Sequence, residues 1–530
     1  MARHPGRQIG FMAIIAGLLS GCQDSFESSS PHAHVRPNGD FPIPREMYRS
    51  QTVEAAVIVE TNGGAPIDSL TITWGSSDAN VLRIRRAETP NHVNVTAVGF
   101  GEAEITARVS AGIGRVEQTF LVDTIQVNER WVDLSVGRLS ACGINQDSLA
   151  YCWNPLLPKP VQVPGLFGIT ARRIEFGHDT GCLLTTQFAV YCWGKNSMME
   201  LGAPGRHSAA IEVFGGDLIP SRIALGGSYL CLATNTGAFD QRFLECSGNS
   251  TFHQLGDPPD TTTCVFNFDA FHCGRHSVAV AADSISAGEN HVCALDVGNL
   301  NQNPPRATCW GAAVTGQLGP RDATTLESCQ VSGSVPPGVP CGGPALADAS
   351  LEFNAVEAGW DIFTPNGQSE LAPTWLGEGH TCGVALGGIL YCWGKNNFGQ
   401  LGAASDSTCR RAFVTSGLGL EETEVACRAR PAPVDAPSPG TFESVALGSE
   451  HTCGVMTDQR IYCWGRNDTG QLGDGTTTSR MSPAPIASDR TFAAVRAGPD
   501  VTCGLTTAAG MILCWGGGLG SVPVPLDVPR

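Results

Sequence analysis

Gly377-Glu378-Gly379-His380-Thr381-Cys382-Gly383-Val384-Ala385-Leu386-Gly387-Gly388-Ile389-Leu390-Tyr391-Cys392-Trp393-Gly394 is the stretch that decides the fold. It reads as two β-strands joined by a tight turn. Its cysteines are ten residues apart and symmetric about Gly387. An odd-length loop of about three residues then sets them opposite each other, at the ~4.5–5.5 Å Cα spacing of directly paired antiparallel residues. A disulfide can span that distance.

The unit recurs. Cys142/Cys152, Cys182/Cys192 and Cys453/Cys463 are also ten apart, Cys503/Cys514 eleven, Cys231/Cys246 fifteen and Cys293/Cys309 sixteen, which makes seven pairs. Five residues before the first cysteine of each stands a glycine: Gly137, Gly177, Gly226, Gly288, Gly377, Gly448 and Gly498. Spacing kept in every copy marks an internal repeat. The second cysteine precedes a tryptophan in six copies (Trp153, Trp193, Trp310, Trp393, Trp464, Trp515) and Ser247 in the other. Gln-Leu-Gly turns follow at 254–256, 317–319, 400–402 and 471–473. Glycine suits a strand entering a crowded point. The tryptophan must face opposite its cysteine neighbour, where it can bury ~200 Å² between adjacent units. Each closed loop of about eleven residues contributes ~3 kcal/mol in chain-entropy terms. These residues are read as scaffold.

The pattern Gly-x-x-His-Thr-Cys … Tyr-Cys-Trp-Gly-x-Asn-x-x-Gly-Gln-Leu-Gly, nearly complete at 377–402 and 448–473, resembles the regulator of chromosome condensation repeat family. The resemblance extends over 129–530 and implies an all-β, seven-bladed β-propeller of four-stranded blades. Proline-rich segments such as 160–164, 431–434 and 483–486 are expected to be outer strands belonging to the blade that follows each. The last of them, 521–529, is then expected to complete the first blade and close the ring.

Three cysteine pairs lie outside the hairpins: Cys264/Cys273, Cys329/Cys341 and Cys409/Cys427. They sit in excess stretches between repeats, the longest about 320–375, which also holds Trp360 and Trp375. Long loops on a rigid scaffold are usual binding surface, so these two tryptophans are the candidate binding residues.

The N-terminus reads as an address. Arg3 and Arg7 precede an apolar run, Ile9–Leu19, too short to span a bilayer, which takes about 20 residues. Leu19-Ser20-Gly21-Cys22 resembles the bacterial lipobox, which implies a signal peptide over 1–21 and a lipid on Cys22. Gln23, not Asp, follows Cys22, so outer membrane or cell surface is expected. Residues 22–48 read as a flexible linker. From 49 to 128, alternating β-branched stretches suggest a small β-sandwich. Thr73-Trp74-Gly75-Ser76-Ser77-Asp78 and Val95-Thr96-Ala97-Val98-Gly99 resemble the bacterial immunoglobulin-like group 2 family, which implies a spacer or adhesion module.

Composition limits the chemistry. The 530 residues carry 33 Lys+Arg against 50 Asp+Glu, a formal charge of −17, which argues against nucleic acid. Setting Cys22 aside leaves 20 cysteines, an even number fit for an oxidising compartment. No P-loop, dinucleotide, HExxH, GxSxG, EF-hand or CxxC pattern occurs. His291, His380 and His451 share one repeat slot that holds Val501 in another copy, which suits a buried structural imidazole better than a metal or catalytic ring. No cofactor, metal, catalytic residue or enzymatic activity is expected. The expected function is a lipid-anchored envelope protein, monomeric and touching the membrane only through Cys22, whose propeller binds a protein or a glycan. The alternatives are a structural envelope protein without a dedicated ligand, and an enzyme with carboxylates or histidines converging on the propeller axis.

Overall fold

The computed structural model describes residues 33–37, 39–40, 43–61, 70–89, 92–99, 101–111, 116–138, 140–153, 160–177, 180–194, 207–214, 219–235, 242–256, 264–267, 270–278, 280–296, 304–321, 326–329, 339–360, 378–414, 420–437 and 440–525. Every regular element among them is a β-strand. The signal-peptide and lipidation readings at 1–21 and Cys22 lie outside the described residues. The chain divides into two units between Val127 and Asn128.

The first unit holds two antiparallel four-stranded sheets. One contains strands Ala33–Pro37, Thr52–Thr61, His92–Ala97 and Leu82–Arg86, the other Glu46–Tyr48, Val116–Asn128, Gly101–Ala111 and Leu70–Ser76. Their inner faces share one core, with Ala55, Leu82, Val93 and Val95 from the first and Met47, Ala103, Ile105 and Ile125 from the second. Strand alternation produces this directly, as His92–Ala97 shows with every second residue buried. The linker expectation for 22–48 fails where it can be examined. Ala33–Pro37 pairs with Val57–Thr61, and Met47 is fully buried. Strands of three and five residues between prolines are too short to show a period.

Among the described residues the second unit holds seven antiparallel sheets in chain order. Its innermost strands are Trp131–Val136, Ala171–Phe176, Ile219–Leu225, Ser284–Ala287, Phe353–Ala358, Phe442–Leu447 and Phe492–Ala497. Each touches the next, and the last touches the first. Outer strands belong to their own sheet, contrary to expectation: Val161–Gln162 pairs with Tyr151–Cys152, and Val524–Pro525 with Leu513–Cys514. The ring therefore closes by packing, with Trp131, Trp153, Val501, Leu505 and Ile512 in one cluster, and not by exchange of a strand. Short connections favour a strand pairing with its predecessor.

The seven hairpin pairs are directly opposed and bonded: Cys142–Cys152, Cys182–Cys192, Cys231–Cys246, Cys293–Cys309, Cys382–Cys392, Cys453–Cys463 and Cys503–Cys514, with Cα atoms 4.0–4.1 Å apart. This is closer than the ~4.5 Å expected from spacing, and it is the narrow, non-hydrogen-bonded kind of antiparallel pair. The hairpin ladder runs in register past the second cysteine to Gly194, Gly248 and Gly311, but the pairing with the next strand out does not. Cys192, Cys246 and Cys309 face Ile211, His276 and Ala345 of the next strand out, and the register shifts directly after each of them. The glycine or serine–glycine that follows supplies the bend, since Gly194, Gly248 and Gly311 all have φ near +115°.

Cys409–Cys427 is bonded with Cα atoms 5.8 Å apart. Cys273 and Cys341 are also in disulfides, and the side chains of Cys264 and Cys329 lie outside the described residues. The extra pairs mark a fifth strand, Cys264–Asn267, Glu327–Cys329 or Ser407–Val414, added to the edge of the third, fourth and fifth sheets. Disulfides and tryptophans face opposite ways. In the cluster between the sixth and seventh sheets, Cys453 and Cys463 of one pack with Trp515 of the other. The same arrangement puts Trp310, Trp393 and Trp464 against the preceding sheet, with Cys246 beside Trp310 and Cys309 beside Trp393. Cys182 and Cys192 instead meet Ile223, Leu225 and Leu230 of the third sheet, which has no such tryptophan.

Hydrogen bonds bolt adjacent sheets together. The Gln317 carbonyl accepts Trp393 Nε1–H at 2.8 Å and Thr381 Oγ1–H at 2.8 Å, both from the next sheet. Gln400 does the same for Trp464 and Thr452, and Gln471 for Trp515 and Thr502. Each threonine proton is thereby used, so the imidazole Nε2–H must be the donor in His291–Thr381, His380–Thr452 and His451–Thr502, at 2.9–3.0 Å. Burial lowers all three histidines to about 3, which keeps them neutral. In the third sheet Tyr229 takes this slot and donates to the Gly288 and His291 carbonyls.

At the axis a Cβ on Gly137 would lie 2.2 Å from the Gly177 carbonyl oxygen. The same holds for Gly177 on Gly226 (2.8 Å), Gly226 on Gly288 (2.7 Å), Gly288 on Gly359 (2.3 Å), Gly448 on Gly498 (2.9 Å) and Gly498 on Gly137 (2.4 Å). The fifth member of this circle is Gly359, not Gly377 as its spacing suggested. Its N–H donates to the His380 carbonyl at 2.9 Å, as Gly288 donates to His291 and Gly448 to His451. Residues 361–377 intervene, and Gly377 lies outside the described residues. Much of the apparent excess at 320–375 is consequently regular: Val339–Leu346 belongs to the fourth sheet and Phe353–Ala358 is the innermost strand of the fifth.

This packing makes glycine and histidine substitutions informative. Gly288→Ala should destabilise the chain by about 3 kcal/mol, because the Gly359 backbone 2.3 Å away must move. Gly342→Ala, whose Cβ would meet only side chains at 3.4–3.5 Å, should change thermal unfolding little, and equal effects would contradict the packing argument. His380 binds its proton less tightly folded than unfolded, so its contribution is full above about pH 6.5 and is lost as pH falls toward 3. The stability gap between wild type and His380→Gln, measured by denaturant titration, should therefore shrink over that range, by up to about 1.4 kcal/mol per pH unit.

Candidate functional site

The innermost strands alternate, so residues two and four places before each ring glycine turn toward the axis. Two places before, the side chains are Ser135, Glu175, Ala224, Ser286, Glu357, Ala446 and Arg496; four places before, they include Asp133, Arg173, Arg222 and Ser284. They enclose an axial cavity of about 120 Å³ whose wall includes Arg173, Glu175, Arg222, Glu357 and Arg496. Carboxylates therefore do converge on the axis, as the enzymatic alternative requires. Glu357 was hidden because the glycine that frames it is Gly359, and the others are visible only once every repeat is aligned on its ring glycine.

Two serines fix the carboxylates by one device. Ser135 Oγ–H donates to Glu175 Oε2 at 3.3 Å while accepting the Phe176 N–H at 2.9 Å. Ser286 Oγ–H donates to Glu357 Oε2 at 2.6 Å while accepting the Ala358 N–H at 3.0 Å. Each serine thus ties a carboxylate of the next sheet to the wall. Burial pushes Glu175 up to about 7, against the pull of Arg496 and with a further push from Asp133. Burial likewise raises Glu357, offset in part by the Ser286 bond and Arg496. For Arg496, Asp133 and the two glutamates outweigh burial and hold its proton more firmly. For Arg222, burial and the neighbouring Arg173 act the other way.

Of the two tryptophans expected as binding residues, the structure describes Trp360. Trp360, directly after Gly359, is 6% exposed and lines the axial cavity. Trp375 lies outside the described residues. The hairpin cysteines take no part in the cavity: Cys192, Cys246 and Cys309 are fully buried on the second and third strands of their sheets, away from its wall. The three imidazoles serve the sheet-to-sheet bonds, and no group of three or more metal-ligating side chains occurs among the described residues. A second buried charge cluster was not anticipated. Lys395 Nζ lies 2.7 Å from Glu378 Oε2 and 2.9 Å from Glu450 Oε1, and Arg466 Nη1 lies 3.1 Å from Glu450 Oε2. Lys395 and Arg466 both directly follow a Cys-Trp-Gly and meet on Glu450, and Lys395 thereby links the fifth sheet to the sixth.

Residues 387–455 and 458–505 match the regulator of chromosome condensation (RCC1) repeat, and a second description of that repeat matches 442–471. Human E3 ubiquitin-protein ligase HERC2 is 24% identical over 363 residues, 61% of this chain and 7% of that protein. The ultraviolet-B receptor UVR8 of Arabidopsis thaliana is 28% identical over 221 residues, 38% of this chain and 44% of that protein. The chain thus spans less than half the length of either. The Bos taurus secretion-regulating guanine nucleotide exchange factor is 24% identical over 376 residues, 66% of this chain and 67% of its own. Among solved structures, Prp20p of Saccharomyces cerevisiae aligns at TM-score 0.50 with 17% identity, covering 69% of this chain and 80% of that one. Human WBSCR16 aligns at TM-score 0.52 with 12% identity, covering 81% and 96%. The second unit is a β-propeller, and its segments 387–455 and 458–505 are similar to the regulator of chromosome condensation repeat.

Proposed function

We propose that this chain is a lipid-anchored bacterial envelope protein in which an immunoglobulin-like spacer carries a seven-bladed propeller that serves as a protein-binding scaffold. The observation that carries the scaffold reading is the closed ring itself. Each sheet is stapled by its own disulfide, and the later sheets are cross-bolted through the Gln317, Gln400 and Gln471 carbonyls. Such a body keeps its faces preorganised, which cuts the ordering cost of association. One relative supports the analogy: the structure of Prp20p was described together with its binding to Gsp1p and histones. Neither partner is carried over, since the leader argues for export and the charge of −17 opposes chromatin.

A catalytic reading has the axial carboxylates in its favour. Its difficulty is room, because the axial cavity of about 120 Å³ is well below the ~300–1,000 Å³ typical of substrate pockets. The lipid anchor rests on Leu19-Ser20-Gly21-Cys22, and the spacer on the two packed sheets before Val127.

Two measurements on the full chain expressed in a bacterium test this reading. Radiolabelled palmitate should enter the wild type and be lost in Cys22→Ala, which should also leave the membrane fraction; equal labelling of both would remove the anchor. A photo-crosslinking amino acid placed at Phe167 or at Met481, which are 72% and 59% exposed, should yield a discrete protein adduct in cells from at least one site. Absence of any protein adduct across such exposed sites would overturn the scaffold.

A further inference from the structure

We propose that the propeller axis is a binding site for one small oxyanion, gripped by Arg173, Arg222 and Arg496. These guanidiniums come from the second, third and seventh sheets and meet at one cavity. Arg222 Nη1–H donates to the Ser221 carbonyl and Arg496 Nη1–H to the Val495 carbonyl, both at 3.0 Å. None of the three is in an ion pair among the described residues. A guanidinium carries five N–H donors in a planar fork that matches carboxylate, sulfate and phosphate oxygens. Most of those donors are uncommitted here. The two glutamates that share the cavity are instead drawn to its wall by Ser135 and Ser286.

Size and charge select the ligand. A cavity of about 120 Å³ exceeds several-fold the ~10–15 Å³ that one water needs in the same measure, which admits a small tetrahedral or planar oxyanion. With both glutamates of the wall accepting from serine hydroxyls, the uncommitted guanidinium N–H donors favour an anion over a metal cation. The surrounding charges are Asp133, Arg173, Arg222, Glu357 and Arg496 about Glu175, and the strands Ser284–Ala287 and Phe442–Leu447 turn no titratable side chain to the cavity. With every group ionised, the three arginines are balanced by three carboxylates. Burial places Glu175 at about 7, so protonation there tips the balance positive and adds an O–H donor. Anion and proton uptake are therefore linked, and affinity should rise as pH falls through that value.

The test is calorimetric titration of the full chain with sodium sulfate against sodium chloride at equal ionic strength. Sulfate keeps its charge over this range, so any pH dependence belongs to the protein. Binding should saturate at one sulfate per chain, about tenfold tighter at about pH 6 than at about pH 8, because the competent fraction changes by that factor. Arg496→Gln should weaken binding at least tenfold, and Glu175→Gln should retain binding while losing the pH dependence. If Arg496→Gln does not fold, judged by circular dichroism, Arg222→Gln decides. Heat that never saturates, as expected of surface exclusion by sulfate, or wild-type affinity in the folded arginine variant, overturns the proposal.

Discussion

The ring exists because a backbone can approach another backbone where no Cβ intervenes. At the narrow end of the second unit each innermost strand ends on a glycine whose missing side chain would strike the next glycine's carbonyl, from Gly137 through Gly177, Gly226 and Gly288 to Gly359, and again from Gly448 through Gly498 back to Gly137. The same missing side chain makes room for an aromatic ring, since a Cβ on Gly448 would lie 2.1 Å from His451 Cε1 and one on Gly226 would lie 2.2 Å from Tyr229. One requirement, for the smallest residue at one place per repeat, thus sets both the radius of the ring and the position of the groups that lock its sheets together.

Cohesion within a sheet and cohesion between sheets come from different chemistry. Disulfides join neighbouring strands of one sheet and make no bond around the ring. Around it, apolar clusters shared by adjacent sheets hold the circle, aided by Gln carbonyls that each accept an indole N–H and a threonine O–H. Among the described residues that polar set is complete from the fourth sheet onward. Trp153 Nε1 has no hydrogen-bond partner among the described residues, and the third sheet has Ser247 where others have tryptophan. The matched repeat segments, 387–455 and 458–505, lie in the same half. A covalent staple in every sheet explains why the early repeats tolerate the loss, because a loosened inter-sheet bond does not unravel the sheet that made it. Cys182–Cys192 and Cys231–Cys246 keep their hairpins closed where the bolts between sheets are incomplete.

What could be read from sequence was whatever repeats locally. Cysteine spacing carried the hairpin register, and six of the seven ring glycines followed from their distance to it. The fifth did not, because 361–377 separate Gly359 from the strand it normally adjoins, and Gly377 happens to stand at the expected distance. Strand membership was misjudged for 161–162 and 524–525, since proline marks an edge without saying of which sheet. The register shifts after Cys192, Cys246 and Cys309 were not foreseen either, because a bulge depends on the third strand, which the cysteine spacing does not reach. Ala33–Pro37 and Glu46–Tyr48 were missed because strands that short carry almost no pattern. The axial charges were missed for a deeper reason. They occupy a slot that varies from repeat to repeat, and only the closed ring brings residues as distant as Glu175, Glu357 and Arg496 to one place.

That variability bears on why the charges are there. Ala224 and Ala446 occupy the same position as Glu175, Glu357 and Arg496 in their own strands, so the fold does not require an ionisable group at it. Placing charges in a confined space costs stability unless they are closely paired, and these arginines make no ion pair among the described residues. Burial pushes Glu175 up to about 7 against the pull of Arg496. A ring that needed only stability would fill the axis with alanine and serine, as part of it does. Retaining three guanidiniums and three carboxylates around a small cavity is the arrangement expected of a site, in which the energy lost by the empty protein is recovered when something of the right charge enters.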